Sequence, residues 1–149
     1  MMHSVMFRSG VAIALLIAVQ QAYAQSGPCP ENRPRAGTIG IERFECVGRS
    51  CSVGMRADDG SYFHSFAVEP RVGALNKAVE PARLVQVGDV VLAIDGVPIT
   101  TSEGGRRIAN LEVGETVSLL IRRDGDEMDV KLVPVLGCNT PGISVRIPR

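Results

Sequence analysis

The sequence predicts a small, mainly β domain of α+β class with two short helices, stapled by disulfides. Three observations carry this prediction. Short apolar runs, alternating or continuous, recur along residues 39–136 and are broken by Asp-Gly and Gly-rich stretches, which is the pattern of strands and turns. Two stretches offer helix signals, and both are short. The chain holds 4 cysteines, an even number, behind an N-terminal segment that reads as an export signal. A length of 149 residues, 45% of them hydrophobic, gives room for one core rather than two. Lys+Arg 16 against Asp+Glu 16 supplies no basic surplus, so nucleic acid is not an expected partner.

The first element is a leader. Arg8 precedes the apolar run 11–19, and Ala22-Tyr23-Ala24 follows it, which are the parts of a secretory signal peptide cleaved after Ala24. The nine residues of that run rise about 14 Å as helix, against about 30 Å of hydrocarbon, so no membrane attachment is expected after cleavage. Cys29 lies between Pro28 and Pro30 without the residues that precede a lipidated cysteine. Residues 25–38, aperiodic and rich in Ser, Gly, Pro, Asn and Arg, read as a tether. Residues 39–136 form the domain, and 137–149 a tail or an extra strand. Export would place the cysteines in an oxidising compartment, where three pairings are open. Cys46 with Cys51 closes a tight local loop, and Cys29 with Cys138 ties the ends together at about 4 to 5 kcal/mol in the entropic account. No Cys-x-x-Cys pair or Cys/His cluster suggests zinc, and no cofactor is expected.

Within the domain, 39–47 alternates through Ile39, Ile41, Phe44 and Cys46. Residues 52–56 and 62–68 flank Asp58-Asp59-Gly60 as a hairpin. Residues 73–79 read as a first helix, stopped by Glu80-Pro81. Residues 89–94 are a continuous apolar run ending in Asp95-Gly96, hence a strand covered on both faces. Thr100 to Glu103 offer N-caps for a second helix through about Asn110, weakened by Gly104 and Gly105 at about 1 kcal/mol each. Residues 116–122 and 128–135 make a last hairpin around Asp124-Gly125, because Val117, Leu119 and Ile121 are answered by Met128, Val130 and Leu132.

The run Gln86 to Ile99, with Gly88-Asp89 before four apolar residues and Asp95-Gly96, resembles PDZ domains of bacterial exported proteins. So does its continuation into a short helix, Val113-Gly114-Glu115 and Arg122-Arg123-Asp124-Gly125. Those domains often accompany HtrA-type serine proteases; here no catalytic domain is expected beside it. The resemblance implies a partly open antiparallel β-barrel or sandwich that binds a peptide C-terminus as an added strand between a strand and the second helix. An x-Φ-G-Φ loop then holds the terminal carboxylate. The resemblance places that loop at Ser52-Val53-Gly54-Met55, with Arg49 as the nearby basic residue, and Cys46 and Cys51 bracket it. On the helix side it places Thr101 at the start of the groove and Gly105 one turn later, where two glycines would leave a shallow wall. The spacing between Leu75 and Leu84 departs from the family pattern. Residues 143–147 compete with 39–47 for one sheet position, since bacterial members are often permuted.

An enzyme is not expected. His64 is the one candidate base in the mature part and lies in a strand, no Gly-x-Ser-x-Gly turn occurs, and Lys77 and Lys131 sit poorly for a Ser-Lys dyad. The expected function is a periplasmic or secreted module that captures C-terminal or extended peptide segments. The alternative is a structural interaction subunit whose groove is filled by its own tail or a fixed partner, and a third reading is a regulatory partner of a periplasmic protease. The partner is a peptide or protein C-terminus, with a protease or secretion component as the larger assembly.

Overall fold

The computed structural model describes residues 35–138 and 142–146. The expected leader with its cleavage point, residues 25–34 of the tether including Cys29, and residues 147–149 lie outside the described residues. The chain runs β1 (Arg35–Thr38), β2 (Ile41–Val47), β3 (Cys51–Met55), β4 (Tyr62–Phe66), β5 (Arg71–Leu75), a 3-10 turn (Glu80–Arg83), β6 (Val90–Ile94), β7 (Val97–Pro98), α1 (Ser102–Ala109), β8 (Val117–Arg123), β9 (Asp126–Leu132), β10 (Val135–Cys138) and β11 (Gly142–Arg146). The main sheet has the order β11-β2-β5-β6-β8-β9, with β7 on β6; β1 with β10 and β3 with β4 form two separate ribbons. These are open sheets, mostly antiparallel, and no closed barrel forms among the described residues.

The sheet forms where the apolar pattern requires it. Val117, Leu119 and Ile121 of β8 point inward together, and Val91 and Ile94 of β6 meet them across the ladder, all buried. Two Asp-Gly pairs make two-residue hairpins. Asp95-Gly96 has φ 49° and 75° between β6 and β7, and Asp124-Gly125 has φ 52° and 93° between β8 and β9. Positive φ at both central residues matches the right-handed twist of the flanking strands, so these short turns fix the register. The entry to β6 works as its sequence suggests: Gly88 takes φ 100°, and Asp89 accepts the Gln86 N–H at 2.8 Å.

Asp89 has a second role. It is buried at 1% exposure and accepts from Arg123 Nε and Nη2 at 2.8 and 2.7 Å, which joins the start of β6 to the end of β8. Burial by itself would raise this carboxyl, but the Arg123 and Gln86 hydrogen bonds outweigh it and hold the group below its ordinary value.

The first expected helix is absent. Residues 71–75 form β5, paired with β2 and β6, because Val72 fills the core completely and a strand offers it both neighbours. Gly73 inside that stretch also disfavours helix. Pro81 does not stop a helix; it sits in the first turn of the 3-10 segment, where its missing N–H costs nothing. The last four residues of the expected tether form β1, paired with β10. Residues 41–47 and 142–146 do not compete for one position. They lie side by side, β11 parallel to β2 with Gly142 opposite Arg43 and Arg146 opposite Val47.

Candidate functional site

The expected groove lies between residues 52–55 and the face of α1 (Ser102–Ala109). The helix is set by Thr101, whose Oγ1 accepts the Gly104 N–H at 3.1 Å and donates to the Pro98 carbonyl at 2.7 Å. Ile108 and Ala109 bury its inner face. Glu103 takes hydrogen bonds from Arg106 and Arg107, which hold its carboxyl below the usual range. Thr101 is therefore at the start of the helix as expected, but its hydroxyl is already used twice by the backbone.

The glycine pair is a contact surface rather than an open wall. A Cβ on Gly105 would fall on the carbonyl oxygen of His64, and one on Gly104 on the carbonyl oxygen of Pro98. Strand β4 thus runs against α1 backbone to backbone, and Asn110 Nδ2 donates to the Tyr62 carbonyl at 2.7 Å near the helix end. On its other side β4 reaches β2 through rings. Phe66 meets Phe44 edge-on at 5.3 Å, and His64 stacks on Phe66 at 5.7 Å and 10°. The α1 wall is covered by the chain's own hairpin, while β11 takes the β2 edge.

Ser52, Val53, Gly54 and Met55 do not form a loop. They make β3, paired residue by residue with β4 from Cys51 opposite Phe66 to Met55 opposite Tyr62. Gly54 is not among the positive-φ residues, and the ring of Phe63 covers the space its side chain would need. A strand committed to a ladder does not gather its N–H groups around one anion. Arg49 is exposed in the turn after β2. The Cys46–Cys51 disulfide is formed, with Cα atoms 6.0 Å apart, and pins the base of the hairpin to the end of β2. Cys138 is also disulfide-bonded; Cys29 lies outside the described residues.

A second x-Φ-G-Φ stretch has the turn that the first lacks. Thr38-Ile39-Gly40-Ile41 leads from β1 into β2, and Gly40 has φ 80°. Its N–H is bonded to Thr38 Oγ1 at 3.0 Å, its carbonyl accepts from Asn76 at 2.8 Å, and a Cβ there would come within 2.6 Å of the Ala82 Cβ. Arg49 stands at the opposite end of β2, about 20 Å away by strand rise. Reading along the sequence, the signal for this turn was the same motif set directly before a strand rather than before a hairpin.

A cleft of about 790 Å³ opens beside α1 and β4, lined by Arg56, Asp58, Phe63, Ser65, Glu103 and Arg106 among others. Its charges are mutually paired, Arg56 with Asp58 and Arg106 with Glu103. Among the described residues no group of three or more His, Cys, Asp or Glu is placed to hold a metal ion.

Comparison with known proteins bears on this fold. The sequence model of the PDZ domain matches residues 72–133. No curated protein matches the chain. Among solved structures, the HtrA-type protease AlgW with a decapeptide aligns at TM-score 0.47 and 17% identity, covering 84% of this chain and 35% of that one. The serine endoprotease from Yersinia pestis aligns at TM-score 0.41 and 18% identity, covering 83% and 35%. The chain spans 35% of the length of each of these two proteases. From β5 to β9, the chain is similar in sequence to PDZ domains.

Proposed function

We propose that this chain is an exported peptide-binding module that accepts an extended segment along the outer edge of β2, with a terminal carboxylate at the Thr38–Ile41 turn. The observation that carries the reading is β11. A five-residue segment already adds to β2 as an edge strand, in register, beside an x-Φ-G-Φ turn. An edge that takes one strand by main-chain pairing can take another. The resident strand is parallel, and parallel pairing is slightly less stable per residue than antiparallel. An incoming peptide running the other way therefore has the better ladder, and its carboxylate would replace the Thr38 hydroxyl as acceptor for the Gly40 N–H. In this reading residues 1–24 are a removed leader, 39–136 the binding domain, 137–149 its tail, and β11 within that tail an internal competitor for the site. The module is periplasmic or secreted, with a peptide or protein C-terminus as partner, and a protease or secretion component is the larger assembly it would serve.

The same observation favours a second reading, a structural subunit whose β2 edge is permanently closed by β11. Affinity measurements separate the two. A chain ending at Cys138 is expected to bind carboxylate-ended peptides at least ten times more tightly than the full chain, and to lose that affinity when the peptide end is amidated. No saturable binding by the shortened chain to any member of a C-terminal peptide library would leave the structural reading.

A further inference from the structure

We propose that the β3–β4 hairpin is an acid-released stopper on the α1 wall of the groove, held in place by the unprotonated imidazole of His64. The proposal rests on the peptide-groove reading for its purpose, though not for its mechanism. His64 is 1% exposed, and among the described residues neither ring nitrogen has a hydrogen-bond partner. Its ring sits between Phe66, stacked at 5.7 Å, and Phe44 of β2, edge-on at 6.1 Å. Its carbonyl rests on Gly105, so the residue that packs into the core is also the one on which the hairpin meets the helix.

Among the described residues, no acceptor is bonded to the ring, and the charged groups around it are engaged or turned to solvent. On the hairpin, Arg56 and Asp58 pair with each other, and Ser61 Oγ occupies Asp59 at 2.6 Å. On α1, Glu103 is engaged by Arg106 and Arg107. On β2, Arg43 and Glu45 lie over Gly73, on the outer side of the β2–β5 pair, and Glu42 is exposed. A protonated ring would be buried without a counter-charge, and stacking on Phe66 offsets part of that cost at most. Burial accordingly pushes the imidazole down to about 4 from 6.5. Above pH 6.5 seated and released forms are both neutral and the hairpin stays. As pH falls from about 6.5 to about 4, the released form takes up a proton that the seated form does not, and each pH unit favours release about tenfold. The Cys46–Cys51 bond keeps the freed hairpin attached at its base.

Hydrogen exchange of the full chain at pH 7 and pH 4.5, corrected for intrinsic rates, tests this. The expected result is a loss of about 100-fold in protection across residues 51–66 with residues 117–132 unchanged. In His64→Phe and His64→Leu the hairpin should keep its protection at pH 4.5. Equal wild-type protection at both pH values, a uniform loss that includes 117–132, or the same pH dependence in the folded variants would each overturn the proposal. Hairpin release without any gain in binding of a carboxylate-ended peptide at pH 4.5 would support the latch and count against the peptide reading.

Discussion

Thr38-Ile39-Gly40-Ile41 and Ser52-Val53-Gly54-Met55 carry the same arrangement of apolar residues around a glycine, and they shape the backbone in opposite ways. In the first, Gly40 takes φ 80° and lies against Ala82 and Val79, so the chain turns and its polar groups are engaged locally with Thr38 and Asn76. In the second, Gly54 stays extended in a ladder and serves as the flat place on which the Phe63 ring lies. One glycine is needed for its backbone, the other for the room it leaves. In the proposed reading the motif marks a carboxylate turn where a positive φ stands at the start of a strand whose edge takes an added segment, as β2 takes β11.

Substitutions sharpen that comparison. Gly40→Val should be the most damaging, costing about 3 kcal/mol or more, because strain at positive φ adds to a clash with packed Ala82. Urea denaturation would read it as a lower midpoint for the whole domain. Asp89→Ala should cost about 3 kcal/mol by taking the carboxylate from Arg123 and the acceptor from the Gln86 N–H, and it would loosen the sheet on which β2 sits. Replacing Cys46 and Cys51 by Ser should cost about 2 kcal/mol for so short a loop, with the loss concentrated in hairpin amides. Gly54→Ala should cost about 1 kcal/mol, since its φ is ordinary and a cross-strand ring can shift; only exchange in residues 51–66 should change. If Gly54→Ala instead abolished peptide binding while the hairpin stayed protected, the assignment of the two stretches would be reversed.

The acid response divides by region in the same way. Between pH 6.5 and about 4 the stability lost belongs to His64 and the hairpin, about 3 kcal/mol over the window. Asp89 is held below its unfolded value, so its contribution is complete above about pH 4 and is lost only as pH falls further, through the folded value. Circular dichroism of the sheet should therefore hold through the range in which hairpin protection falls.

The part of the fold from β6 to β9 was legible in the sequence, because Gly88-Asp89, two Asp-Gly turns and the period-two run of Val117, Leu119 and Ile121 each have one physical meaning. The region before it was harder. Residues 73–79 contain Gly, Ala and Leu in a spacing that suits a short helix, and only the pairing of Val72 between β2 and β6 decides for strand. Gly104 and Gly105 pointed to something special on α1, but nothing local says that the backbone of a segment some forty residues earlier comes to rest there. His64 was an ordinary strand residue by sequence. Its interest comes from burial without a partner, which depends on Phe44 and Phe66 closing over it.

In the proposed function the β2 edge is a strand-accepting site held by β11 and open to exchange. The direct test is NMR of the isotopically labelled full chain titrated with a carboxylate-ended peptide, following residues 38–47 and 142–146. The account predicts saturable shifts along 38–47 together with loss of amide protection in 142–146. Saturable shifts confined to the β9 or β3 edge, with 142–146 still protected, would contradict it.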